Sequence, residues 1–370
     1  MKIAHVVGTF PPHFGGMGSV AFEEAKRLGE LGHAVTVFTM QYPDFVYRKY
    51  DWPFRVVRFK PWLKLGDAGL VPQMIKALKD FDLIHLHYPF FGGAEMVWLS
   101  KVWHHQKYVI TYHMDAKPDT FLKKVIQAKY NFFYSRPIFD HAGKIMVVDK
   151  NFFSSSQLKD RIKKPVEVLW NGVDERVFRP LPEVKKESRV NKTLLFVGNL
   201  LTVKRLDLVI RVLKDLPLDF VLVVVGDGYA ANDYKKQVQS MDLDDRVRFV
   251  GAVQDKETLN DYYNSADCTI IPSGDTESFS LVALESLASG TPVIASDLSG
   301  TRGRVVDGQD GLLFKPGDIQ DLKQKIEDFF SKNQTDRKKM GEAGREKIVA
   351  SYTWDRHIEK LVEIYRSVLE

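Results

Sequence analysis

Two successive series of short apolar, β-branched runs, most of them followed by a longer amphipathic stretch, constrain this chain more than any other feature. The first series reads KIAHVVG, AVTVFT, FRVVRF, LIHLHY, YVITYH, KIMVV and VEVLW, and the second TLLFVGN, FVLVVVG, VRFVGA, CTIIPS, PVIAS and GLLF. Strands buried on both faces of a parallel sheet have this appearance. Helical stretches such as Ser19 to Leu31 and Lys204 to Lys214 lie between most of the runs. Alternation of strand and helix predicts an α/β fold with a doubly wound, Rossmann-like parallel sheet, and two series predict two such domains. The 370 residues agree, being too many for one compact core and enough for two.

The break falls near Trp170 to Asn191, a stretch rich in turn formers and charge and poor in apolar periodicity. Read as a linker, it separates residues 1–172 from residues 173–352. The final stretch, YTWDRHIEKLVEIYRSVLE, predicts a helix with Ile358, Leu361, Val362 and the ring of Tyr365 on one face. No strand follows it, so residues 353–370 are expected to cross back and complete the first domain.

Composition narrows the function classes. Hydrophobic residues at 44% and charged residues at 27% supply enough apolar material for packed cores and exclude a disordered chain. A net charge of +5 suits anionic partners such as nucleotide phosphates or acidic lipid headgroups, and does not by itself imply nucleic acid. Cys268 is the only cysteine, which excludes an internal disulfide and a thiolate zinc site, and points to a reducing compartment. The opening MKIAHVVG reads as a strand rather than a signal segment, and no stretch approaches the roughly 20 apolar residues of a membrane span. A cytoplasmic protein, at most peripheral on the inner face of a membrane, is the expectation.

The strongest chemical signal is ESFSLVALESLASGTPVIAS, which places Glu277 and Glu285 eight positions apart. Ser278 or Ser280 can cap a helix, with Glu277 on the preceding loop and Glu285 in the second turn. The backbone N–H groups of Phe279, Ser280 and Leu281 would then form an anion site able to dock a diphosphate. Ionised carboxylates on either side would accept hydrogen bonds from sugar hydroxyls. In the competing reading, Glu277 supports the helix dipole and Glu285 is a solvated helix residue.

This stretch resembles the signature of the glycogen-synthase-like retaining glycosyltransferases of GT-B architecture, often called family 4. Other segments agree in order: GTFPPHFGGMGSVAFEEAKRLGELGHAVTVFT, LIHLHYP, TYHMD, WNGVDERVFRP, VVGDGY, VRFVGAV, SGTPVIASD and DGLLF, covering essentially the whole chain. The resemblance implies two domains facing a central cleft, with a UDP- or GDP-sugar donor gripped mainly by the second. It implies that Gly15 and Gly16 form a tight loop whose backbone approaches the donor phosphates, and that Lys204 neutralises the leaving diphosphate. It implies that Glu285 binds ribose hydroxyls, that Glu277 and Phe279 contact the transferred sugar, and that His113 stands beside the reacting sugar. A histidine at that strand end is equally a hydrogen-bonded core residue, and Asp115 is a weaker candidate. In most relatives an arginine stands where this chain has Asn199, and Arg205 is the candidate to compensate. Gly303, flanked by Arg302 and Arg304, occupies a position where relatives usually have glutamate, so the pocket wall is expected to differ.

No carboxylate nucleophile is consistently placed in the family, so the resemblance implies front-face attack assisted by the leaving phosphate, without cofactor or metal. A DxD string at Asp242 to Asp244 reads as a polar helix end turning into a strand rather than as a metal site. VVVGDGYAA resembles a dinucleotide fingerprint and keeps a dehydrogenase in view, although the strand before it is the second of its series. A sugar-nucleotide epimerase on the same architecture, or a catalytically silent nucleotide-sugar binding protein, would also fit these residues. On the acceptor side, FLKKVIQAKYNFFYSR (Phe121 to Arg136) and YPDFVYRKYDWPFRVVRFKPWLKLG mix cations with aromatics. Such segments suit an anionic bilayer surface and motivate a glycan or lipid-linked acceptor. A packed helix with a solvated lysine face is the competing reading of the first.

Overall fold

The computed structural model describes the chain except residues 13–14, 43–50, 67, 117–119, 183–190 and 275–276, and the side chain at 65. Residues 43–50 of the second basic aromatic segment and 183–190 of the linker lie outside the described residues. Two compact units emerge, Met1–Asn171 with Asp355–Glu370, and Gly172–Trp354.

In the first unit the chain runs through β1 (Lys2–Val6), α1 (Gly16–Glu30), β2 (Ala34–Met40), β3 (Arg55–Phe59), β4 (Leu63–Leu65) and β5 (Ala68–Leu70). There follow α2 (Gln73–Ala77), β6 (Leu83–Tyr88), α3 (Ala94–His104), β7 (Tyr108–Tyr112), α4 (Phe121–Tyr130), α5 (Arg136–Asp140), β8 (Ile145–Val147), α6 (Lys150–Ser154) and β9 (Val166–Val168). Seven strands form one parallel sheet in the order β3-β2-β1-β6-β7-β8-β9, and β4 and β5 make a small antiparallel ribbon. All seven runs of the first series are strands of that sheet, while the ribbon is too short to have left a periodic signal. β6 is buried along its whole length, as its unbroken run LIHLHY requires.

The second unit holds β10 (Lys192–Val197), α7 (Leu206–Asp215), β11 (Phe220–Val225), α8 (Ala231–Ser240), β12 (Val247–Gly251), α9 (Lys256–Ser265) and β13 (Cys268–Ile271). It continues through α10 (Leu281–Ala288), β14 (Val293–Ser296), β15 (Gly311–Phe314), α11 (Ile319–Ser331) and α12 (Gln334–Ser351). Its six strands are parallel in the order β12-β11-β10-β13-β14-β15. The last helix, α13 (Trp354–Leu369), buries Ile358, Leu361, Val362 and Tyr365 in the core of the first unit with Ile3, Leu28 and Val37.

Two helix boundaries differ from expectation: α1 opens at Gly16, three residues before Ser19, and α7 opens late. Lys204 does not open α7 but ends a 3-10 turn, Thr202–Lys204, because Arg205 adopts a left-handed conformation (φ 54°) that interrupts the helical path.

Candidate functional site

In an open parallel sheet, ligands bind beyond the carboxyl ends of the strands where strand order reverses. In the second unit that reversal lies between β10 and β13. The loop after β10 carries Asn199, Lys204 and Arg205, and the loop after β13 carries Ser273 and Glu277. The two are stitched by the Gly274 N–H donating to the Val203 carbonyl at 2.8 Å. Lys204 Nζ donates to Glu277 Oε2 at 2.7 Å, and the Ser273 hydroxyl donates to the same oxygen at 2.8 Å. Burial alone would raise the Glu277 pKa, but Lys204 and Ser273 hold it below the usual carboxylate value. A Cβ on Gly300 would lie 2.2 Å from the Glu277 carbonyl, so only glycine lets the loop after β14 support Glu277 this closely.

Ser280 is the cap of α10, its side chain accepting from the Ala283 N–H at 3.3 Å. The amide of Ser280, expected to be free for an anion, instead donates to the Gly300 carbonyl at 3.1 Å. The same close approach of Gly300 accounts for this. Leu281 and Val282 occupy the first turn, where amides lack intrahelical acceptors. Phe279 is buried, with the Arg304 guanidinium 4.2 Å from its ring centre and Tyr352 beside it. Arg304 therefore packs against the residue expected to contact the sugar. Arg302 makes a two-pronged contact with Asp297 at 2.7 and 2.8 Å.

Glu285 lies one turn further along α10, half-buried, accepting from the Tyr263 hydroxyl at 2.8 Å. Burial pushes its pKa up to about 7, against the weaker pull of Tyr263 and Lys256. Asn199 is exposed, and Arg205 is bound to Asp207 at 3.0 and 3.2 Å, so its charge is already engaged locally. The glycines of VVVGDGY have a packing cause. A Cβ on Gly226 would meet the Gly198 carbonyl at 1.9 Å, and one on Gly228 the Leu200 carbonyl at 2.6 Å. The DxD string forms the turn between α8 and β12, with Asp242 left-handed (φ 55°) and Leu243 buried.

The remaining candidates belong to the first unit, beyond the carboxyl ends of β1 and β7. Gly15 caps α1 in an extended conformation, and neither it nor Gly16 is forced to be glycine by protein neighbours, since a Cβ on Gly16 meets nothing within 4 Å. Gly18, which carries no signal in the sequence, is forced: its Cβ would lie 2.6 Å from the Thr9 carbonyl. His113 is buried, its Nε2 3.0 Å from His87 Nδ1, and burial lowers its pKa to about 3, so it is a neutral imidazole. Asp115 accepts from Tyr112, from the Ser156 hydroxyl at 2.8 Å and from the Gln157 N–H at 3.2 Å, which gives it a structural task. α4 buries none of its residues, and Phe121, Leu122, Ile126, Phe132 and Phe133 are exposed beside Lys123, Lys124, Lys129 and Arg136. No helix among the described residues is long and apolar enough to cross a membrane.

Two known families match the chain. The family described as Glycosyltransferase Family 4 matches residues 14–177, and that described as Glycosyl transferases group 1 matches residues 179–347. D-inositol 3-phosphate glycosyltransferase of Streptosporangium roseum is 30% identical, over 96% of this chain and 89% of its own length. Alpha-monoglucosyldiacylglycerol synthase of Streptococcus pneumoniae is 29% identical over 80% of this chain and 71% of its own. Anabaena HepE, solved in complex with UDP, superposes with a TM-score of 0.80 at 18% identity, covering 99% of this chain and 100% of that one.

Proposed function

The chain belongs to the group 1, family 4 glycosyltransferases of GT-B type, and from that premise we propose that it moves a hexose from a UDP- or GDP-sugar to a glycan or lipid-linked acceptor with retention of configuration. The observation that carries the reading is the Lys204–Glu277 pair beside the amino end of α10, at the point of strand-order reversal.

Without donor, Lys204 and Glu277 neutralise each other. A diphosphate arriving at the first turn of α10 competes for the Lys204 ammonium and releases a Glu277 oxygen, still ionised, to accept a hydroxyl of the sugar. Glu285, further along the same helix, receives the ribose hydroxyls. In the transfer step the bond between the anomeric carbon and the diphosphate oxygen breaks, and the acceptor oxygen bonds to that carbon on the same face. The acceptor's proton passes to the departing phosphate. The protein's contribution is electrostatic: a cation and helix amides placed where negative charge grows. No cofactor enters this scheme. The exposed aromatic and cationic residues of α4, and the glycerolipid in one relative's name, favour a lipid-linked acceptor met at a membrane surface.

A thermal-shift panel of nucleoside diphosphates and their sugars tests the donor. A ligand at about 100 times its Kd adds about 2.7 kcal/mol, readily seen as a higher Tm. UDP or GDP and one of its sugars should raise Tm in the wild type and not in Lys204→Ala. A panel without any stabilising nucleotide would remove the proposal.

A further inference from the structure

Beneath α1, the first sheet brings together three histidines that the transfer reaction does not use. β1 and β6 pair in parallel with His5 opposite His85, and His87, two residues on, shares their face of the sheet. α1 lays Glu24 over them, and all four side chains are fully buried. One ligand atom from each lies within 4.8 Å of the others. Glu24 Oε2 is 3.3 Å from His85 Nδ1 and 3.6 Å from both His5 Nδ1 and His87 Nε2. His5 Nδ1 and His87 Nε2 are 3.0 Å apart. Donors bound to zinc at about 2.0–2.1 Å in a tetrahedron stand about 3.3–3.4 Å from one another, and the four separations just given, 3.0 to 3.6 Å, bracket that value. Glu24 Oε2, wholly buried, makes no well-directed hydrogen bond. An ionised oxygen buried without a hydrogen bond is costly unless a cation answers it.

The surroundings match a metal's outer contacts. Glu24 Oε1 is 2.9 Å from His357 Nε2, whose ring is anchored through Nδ1 to the Trp170 carbonyl at 2.6 Å. His85 Nε2 meets the Thr111 hydroxyl at 2.7 Å, and His87 Nδ1 meets His113 at 3.0 Å. Such partners fix the tautomer and ring orientation of metal-binding imidazoles. The Tyr365 hydroxyl, 2.7 Å from His85 Nδ1, would have to yield that nitrogen to the ion.

We propose that His5, Glu24, His85 and His87 form a closed, four-coordinate site for a divalent first-row cation, zinc foremost, which clamps α1 and β6 to β1. Four protein ligands leave no open position, so the ion is structural rather than a catalyst. Ligation requires each imidazole to be unprotonated at the nitrogen that meets the ion. A metal on His87 Nε2 obliges Nδ1 to carry the proton and present it to His113, so the ion also orients the histidine at the end of β7.

The test is to strip the full chain with a chelator and reload it with zinc alone and, separately, with cobalt(II). The expected result is one tightly held zinc per chain with a higher Tm, and a cobalt adduct with the intense visible bands of four-coordination. Glu24→Gln should weaken zinc binding by about 100-fold or more. Should that variant fail to fold, His87→Gln is titrated in the same way, and the wild-type cobalt spectrum decides independently. Wild-type protein that takes up less than roughly a tenth of an equivalent at micromolar zinc, a weak six-coordinate cobalt spectrum, or a variant that binds as the wild type does would overturn the site. The cluster would then be a hydrogen-bonded core, and any bound ion a guest of surface histidines.

Discussion

Glu277 and Glu285 show how one helix end shifts the pKa values of two carboxylates in opposite directions. Glu277 has an ammonium at 2.7 Å and stays ionised, whereas burial outweighs the phenol at 2.8 Å and the pull of Lys256 on Glu285 and pushes it up to about 7. The spacing of the two glutamates was legible in the sequence, but their partners were not, because Lys204 is 73 positions from Glu277 and Tyr263 is 22 from Glu285. The Glu285 shift has a measurable sign. Between its ordinary value of 4.5 and about 7 the folded chain binds this proton more tightly than the unfolded chain does. Its contribution is fully present below 4.5 and is lost as pH rises through 7, so wild-type Tm should fall relative to Glu285→Gln across that window and run parallel above it. Melts that stay parallel from pH 4.5 upward would show that Glu285 is not held in this way.

At the scale of elements, the strands were readable because parallel strands buried on both faces are predominantly apolar, and all thirteen runs fall in the two sheets. Missed features lack a periodic signal: the β4–β5 ribbon, and the left-handed Arg205 that starts α7 two residues late. Close backbone approaches were equally hidden, since Gly18 and Gly300 are explained only by carbonyls brought to them in space. α4 bears on a choice the sequence left open. It presents Phe121, Leu122 and Ile126 to solvent together with its lysines, so it is not a packed helix with a purely solvated lysine face. With Phe132 and Phe133 it offers an apolar and cationic surface suited to anionic headgroups. Flotation with anionic vesicles at low salt should carry the wild type upward and leave behind a variant with Phe132→Ser and Phe133→Ser. Equal flotation of the two, or none by the wild type, would exclude α4 and its extension as the docking surface.

For the molecule as a whole, both sheets place their candidate residues at the carboxyl ends of strands: β10 and β13, on either side of the reversal, in the second unit, and β1 and β7, with β6 between them, in the first. The series of runs and the final helix disclosed that plan, because each obeys a local period. The buried histidine cluster could not be found in this way, since positions 5, 24, 85, 87 and 357 meet only through sheet register and helix packing. Everything proposed about catalysis rests on Lys204 and Glu277 acting on a sugar diphosphate. The direct measurement is release of nucleoside diphosphate from a panel of labelled UDP- and GDP-sugars, with the anomeric configuration of the released or transferred sugar. The account predicts turnover with the donor's configuration retained, reduced about 100-fold or more in Lys204→Ala and in Glu277→Ala. Donors that bind without turnover, an inverted product, or full activity in either variant would contradict it.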